Sequence, residues 1–145
     1  MAGGYRLTDH TADLGLRVWG KTTPELFLEA ANAVMQQIVD PETVLSEKSA
    51  TIKLKKNTLE ELLFNWLREI LFLTQQGWVF HQFQLENHNL LEKNVNAYFL
   101  EASAVGEPLD SSRHEICNEI KAITRHNFYV KTRNPWVEAN ILLDV

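Results

Sequence analysis

A chain of 145 residues with 14 Lys and Arg against 19 Asp and Glu carries a formal charge of −5, and 45% of it is hydrophobic. That is ordinary globular composition, and residues 1–145 are expected to form one domain, because halving the chain would leave neither part a sizeable core. The same arithmetic excludes an apolar run of the roughly 20 residues that cross a bilayer, an internal disulfide, since Cys117 is the sole cysteine, and a strong independent hold on long nucleic acid, which needs clustered cations. Met1 to Arg6 lacks the apolar stretch of a signal peptide. With a lone thiol, that composition suits a reducing, cytoplasmic location.

In chain order, the first feature is a compact polar cluster, Asp9-His10-Thr11-Ala12-Asp13. By composition it reads as a turn whose side chains bond local backbone. A strand follows, with Leu14, Leu16 and Val18 alternating against Gly15, Arg17 and Trp19. Thr22-Thr23-Pro24-Glu25 then supplies a hydroxyl cap, a first-turn proline and an early acid. The helix it starts carries Leu26, Phe27, Ala30, Ala31, Val34, Met35 and Ile38 in steps of three and four, and Asp40-Pro41 ends it.

Ala50 to Lys55 predicts a second strand. The densest basic stretch, Lys53, Lys55 and Lys56, reads as its solvated edge. Thr58-Leu59-Glu60-Glu61 is a capping box opening a helix through Leu62, Leu63, Trp66, Leu67, Ile70 and Leu71 to a stop at Gly77. Phe64 and Phe72 widen its apolar face, which predicts burial on more than one side. The remainder reads as strands over 78–86, 95–105, 119–131 and 136–145. Phe80 and Phe83 fall on opposite phases of the two-residue period, which predicts a bulge around His81-Gln82. The turn-rich loop 106–112 falls between two of these strands. Two helices among many strands define an α+β fold: a mainly antiparallel (mixed) β-sheet with both helices packed against it.

Most catalytic signatures are missing. There is no phosphate-binding Gly-rich loop, no Gly-x-Ser-x-Gly elbow, and the five His and one Cys have no zinc spacing. Cys117 reads as a small buried hydrophobe rather than a nucleophile. The C-terminal segment offers more. Val137, Ala139, Ile141, Leu143 and Val145 share one strand face, and Glu138, Asn140, Leu142 and Asp144 share the other. A strand reaching the last residue needs an anchor, because free termini fray. If it pairs with the Leu14–Val18 strand, Asp13, Asp144 and the Val145 carboxylate approach one another. Two such charges at about 4 Å repel by roughly 4 kcal/mol at an effective dielectric of 20. Either a proton or a cation then relieves them, and an all-oxygen set selects a hard ion: Ca²⁺, Mg²⁺ or Mn²⁺.

Asp9-His10-Thr11-Ala12-Asp13-Leu14-Gly15-Leu16 resembles the opening signature of the archease family. The resemblance continues through Glu25-Leu26-Phe27, Ala30-Ala31, Leu62-Leu63, Trp66-Leu67, the 119–126 segment and Leu143-Asp144-Val145. It implies a non-enzymatic accessory protein that activates an RtcB-type RNA ligase. Such a protein promotes GTP-dependent guanylylation and multiple turnover of the ligase in tRNA splicing and RNA repair, and RNA is contacted mainly through the ligase. A chaperone-like role toward a tRNA methyltransferase is also attributed to the family. The implied metal ligands are Asp13, Asp144 and Val145, with calcium the usual ion. Asp9, His10, Lys121 and His126 are the implied partner-facing positions. The chain departs from the family pattern at Arg125, where Tyr is common. The alternative from another class is a metal-dependent hydrolase on the same carboxylates with His10 as base.

Overall fold

The computed structural model describes residues 2–8 and 13–145. Its elements in order are β1 (Gly4–Thr8), β2 (Asp13–Gly20), α1 (Thr23–Ile38), a 3₁₀ turn (Pro41–Thr43), β3 (Lys48–Lys56), α2 (Leu59–Gln75), β4 (Trp78–His88), β5 (Tyr98–Pro108), β6 (Ala122–Arg133) and β7 (Trp136–Asp144). The expected α+β class holds. The strands form two sheets rather than one, a four-stranded sheet in the order β1-β2-β7-β6 and a three-stranded sheet in the order β3-β5-β4. All the pairings between named strands are antiparallel. Both helices touch both sheets: α1 packs on β2 and β4, α2 on β6 and β3, and the helices pack on each other.

The helix ends follow their local chemistry. Thr22 Oγ1 accepts from the Glu25 amide at 3.3 Å, and Thr58 Oγ1 accepts from the Glu61 amide at 3.1 Å. The return half of the expected capping box is replaced, because the Glu61 carboxylate turns to Arg125 instead. Gly77, at φ 101°, closes α2 in the left-handed region that glycine enters without strain.

One contiguous core joins the inner face of the four-stranded sheet (Leu16, Val18, Ala139, Ile141, Leu143) to the helices and to Ile52, Phe80, Leu100 and Ala102 of the other sheet. Trp66 lies at its centre, fully buried, with its indole Nε1 donating to Phe27 O at 2.9 Å, so the ring's polar atom is satisfied. Burying such side chains stabilises the fold by about 1.5–3 kcal/mol each. The predicted bulge is present: the β4–β5 register shifts between Phe80 and Gln82, which turns both Phe80 and Phe83 into the core. Gly106 is required at that crossing, since a Cβ there would lie 1.9 Å from Val79 O.

Four details depart from the sequence reading. Phe72 is 52% exposed, so only Phe64 widens the buried face of α2. Cys117 is exposed, its amide bonding Ile38 O at 2.8 Å in a loop laid across the end of α1. The strand expected from 119 begins at Ala122, and the one expected over 95–105 runs from Tyr98 to Pro108. Residues 4–8, not expected as a strand, pair with β2. Lys53 and Lys55 do stand exposed on β3, an edge strand.

Candidate functional site

The four-stranded sheet turns Leu14, Leu16 and Val18 inward onto the helices, so Asp13, Arg17 and Trp19 project from the outer face. Antiparallel pairing of β2 with β7 then sets Asp13 directly opposite Asp144, with Arg17 opposite Asn140 and Trp19 opposite Glu138. Facing residues in such a pair have Cα atoms about 4.5–5.5 Å apart and side chains on the same side. Two carboxylates therefore share one end of the outer face. On its other flank Asp144 faces Ala122 of β6, and its carbonyl accepts from the Lys121 amide at 2.7 Å. That bond ties the last residues of β7 on both sides, and Val145 follows directly, 41% exposed.

In the adjoining row, Thr124 faces Leu142, which faces Gly15. Thr124 Oγ1 is buried and has no hydrogen-bond partner among the described residues. The candidate donors at this end are thus all oxygen: the opposed Asp13 and Asp144 carboxylates, the carboxylate of Val145 next in the chain, and the Thr124 hydroxyl one row away. Among the described residues no group of three or more His, Cys, Asp or Glu side chains is placed to hold a metal ion. A metal here would need the main-chain carboxylate as a third anionic ligand. In donor chemistry the residues fit a hard divalent cation and do not fit zinc.

The remaining sequence candidates divide. Asp9 and His10 lie outside the described residues. Lys121 is exposed and adjoins the carboxylate end through its amide. His126 sits in a bulge of β6, where the register with β7 shifts between Thr124 and Tyr129 and Asn127 adopts φ 53°. Its exposed ring meets the Asn127 side-chain Nδ2 at 3.3 Å. Arg125, in the same bulge, reaches both carboxylate oxygens of Glu61 at 2.8 and 3.0 Å and lies 4.0 Å over the Phe64 ring. Arg125 is therefore an anchor between β6 and α2.

The sequence reading passed over two features. One is a buried charge cluster: Glu107, 1% exposed, accepts from Arg113, from the Leu45 amide and from His114 Nε2 at 3.1 Å. Because His114 Nδ1 accepts the Asp110 amide at 2.9 Å, the ring proton sits on Nε2 and points at Glu107. Burial pushes the Glu107 carboxyl upward, but the bonds from Arg113, the Leu45 amide and His114 outweigh it and hold the group at about 2. The other is the far end of the outer sheet face, where Arg6, Arg17, Trp19, Arg133 and Trp136 surround a depression of about 330 Å³. The period-two phase of Arg17 and Trp19 carried that signal.

The fold that carries this oxygen-rich end is an α+β domain in which two antiparallel sheets share a pair of packed helices. Residues 5–145 match the Archease protein family (MTH1598/TM1083), and the chain belongs to that family. The protein archease of Methanosarcina barkeri is 35% identical over 143 residues, 97% of this chain and 95% of that protein. The solution structure of Methanobacterium thermoautotrophicum protein 1598 superposes with a TM-score of 0.80 at 25% identity, covering 98% of this chain and 99% of that one. The crystal structure of a Thermotoga maritima archease, described as a possible chaperone, superposes with a TM-score of 0.62 at 17% identity, covering 97% and 96%, and shares the fold. Among the described residues no helix is long and apolar enough to cross a membrane.

Proposed function

We propose that this chain is a non-enzymatic, metal-carrying activator of an RtcB-type RNA ligase in tRNA splicing and RNA repair. It promotes the ligase's GTP-dependent guanylylation and repeated turnover in the cytoplasm. The observation that carries this reading is the facing of Asp13 and Asp144 at one end of the outer sheet face. Asp13, Asp144 and the carboxylate of Val145 would hold the cation, with calcium the first choice and Mg²⁺ or Mn²⁺ the alternatives. When bound, the ion neutralises the carboxylates and presents a hard positive charge to an anionic group of the partner.

The chain's own residues do the rest. The Lys121 amide fixes the Asp144 backbone, so the carboxylate pair is held in register before any ion or partner arrives. Lys121, just before β6, and the β6 bulge carrying His126 lie toward that end and are the docking positions; Asp9 and His10 complete the proposed partner set. The net charge of −5 leaves most phosphate contacts to the ligase.

The test is to mix the chain with its host's ligase, GTP and Mn²⁺ and follow covalent GMP on the ligase. The intact chain raises the rate, and Asp144→Ala abolishes the gain while the variant still melts cooperatively. Full activation by Asp144→Ala would end this reading. The Thermotoga maritima archease, described as a possible chaperone, supports a chaperone-like second reading, and the family resemblance suggests a tRNA methyltransferase as its client. That reading predicts suppressed methyltransferase aggregation with no change in ligase guanylylation. The metal-dependent hydrolase reading predicts phosphoester turnover by the chain alone, lost with EDTA and with His10→Ala.

A further inference from the structure

We propose that the end of the outer sheet face remote from Asp13 and Asp144 binds a short stretch of single-stranded polynucleotide, its phosphates on Arg6, Arg17 and Arg133 and its bases on Trp19 and Trp136.

The register assembles this surface from strands distant in sequence. Arg6 of β1 faces Arg17 of β2, Trp19 faces Gly4 on one side and Glu138 on the other, and Arg133 of β6 faces Trp136 of β7. The Trp19 indole occupies the space over Gly4, where an added Cβ would lie 3.2 Å from its Cζ2. Tyr129 stands on the same face, with Lys131 Nζ 4.4 Å and the Arg17 guanidinium 5.9 Å from its ring centre. Arg6, Arg17, Lys131 and Arg133 thus place four of the 14 Lys and Arg of an acidic chain at one end of one sheet.

Charge complementarity selects the occupant. Among the described residues Glu138 is the only carboxylate lining the depression, and it is engaged already, accepting from Tyr129 Oη at 2.7 Å and meeting Arg133 Nε at 3.6 Å. Neither Arg6 nor Arg17 has a carboxylate partner among the described residues, yet they face each other across the β1–β2 ladder. Like charges so placed destabilise a sheet until an anion joins them. A polyanion with flat apolar faces satisfies both halves of the surface, phosphates on guanidinium groups and bases on indoles. A duplex hides its base faces and cannot use the tryptophans, so the ligand is single-stranded. Every nucleotide of a single strand brings a phosphate and a flat base together, whereas an anionic peptide brings planar groups only where it holds aromatic side chains.

The inference is independent of the ligase reading, because it is tested on the chain alone. Fluorescence anisotropy of a labelled oligouridylate of about twelve nucleotides is expected to show saturable binding. Between about 50 and 200 mM salt, log affinity against log salt should fall with a slope of about −2 to −3, the yield of three or four phosphate contacts. Trp19→Ala is expected to weaken binding about tenfold through lost stacking. Arg133→Glu, on an exposed hairpin position, is expected to do so by a similar factor and to flatten the slope by about 0.7 or more. Lys53→Glu with Lys55→Glu, on the other sheet, should change affinity by less than about twofold if binding is local rather than a matter of net charge. Equal affinity for a duplex of the same length overturns the proposal, as does a comparable loss from the Lys53/Lys55 variant. Absence of binding at about 100 µM protein, the weak limit for non-specific contacts, also overturns it and assigns the face to a protein partner.

Discussion

At one end of the outer sheet face Asp13 opposes Asp144, and four residues along β2, about 13 Å away at ~3.3 Å per residue, Arg17 opposes Arg6. Both are like-charged pairs set directly across a ladder, a placement that costs a sheet stability. The inside of the molecule handles charge differently: Glu107 is met by Arg113 and His114 within the fold. Where a charge serves the fold, its counter-charge is built in. Among the described residues the outer face gives neither pair an opposite charge, and the pairs differ in sign, so each would gain from a counter-charge supplied from outside. A cation suits one and an anion the other.

Calcium gives the largest separation between the ends. At free Ca²⁺ about a hundredfold above its dissociation constant, the intact chain should gain about 2.7 kcal/mol, read as a melting temperature higher by several degrees. Asp13→Asn or Asp144→Asn should lose that gain and Arg17→Gln should keep it. Equal retention in all three would erase the distinction between the ends.

Acid titration sharpens the contrast with the interior. The folded Glu107 carboxyl sits at about 2, below its unfolded value near 4.3, so in that window the unfolded chain binds more protons. Its contribution is complete above about pH 4.3 and is lost as pH falls through about 2. Glu107→Gln should therefore melt at lower temperature near neutrality and show a flatter decline between pH 5 and 2 in a scan of melting temperature. A parallel decline in variant and parent would remove Glu107 from the account.

The smallest effects carry the sign that tests the comparison most directly. In EDTA, Asp13→Asn should stabilise the chain by about 0.2–1 kcal/mol, the cost of like charges opposed on a sheet. At low salt and without polynucleotide, Arg6→Gln should stabilise it by a similar amount. Both gains should shrink as salt rises. Destabilisation by either substitution, measured by denaturant unfolding, would mean that the fold already compensates that pair.

Local signals in the sequence located most of the elements. Thr22 and Thr58 cap where hydroxyl chemistry says they should, and the phase slip between Phe80 and Phe83 is a bulge in fact. Alternation put Asp13 and Asp144 on the outward phase of their strands, since each strand turns its aliphatic residues inward. Their direct opposition comes from the β2–β7 pairing, which alternation left open. The division into two sheets was not legible either, because β3 and β5 meet across more than forty residues. Nor was β1, a five-residue strand whose Leu7 stays 54% exposed and leaves no clean alternation. Cys117 misled for a similar reason: thiol burial is a statistical habit, whereas this loop is held by its backbone and by Asn118, which donates to Gln37 O at 2.8 Å.

The lysines of β3 bear on how the molecule behaves in company. An unpaired strand invites another chain to extend the sheet, and antiparallel self-addition along β3 would crowd Lys48, Lys53, Lys55 and Lys56 against their own copies. Neutralising them, by acetylation or by substitution with glutamine, would make that flank adhesive. The chain would then stack on itself at concentrations where it otherwise stays dispersed, a change that light scattering registers directly.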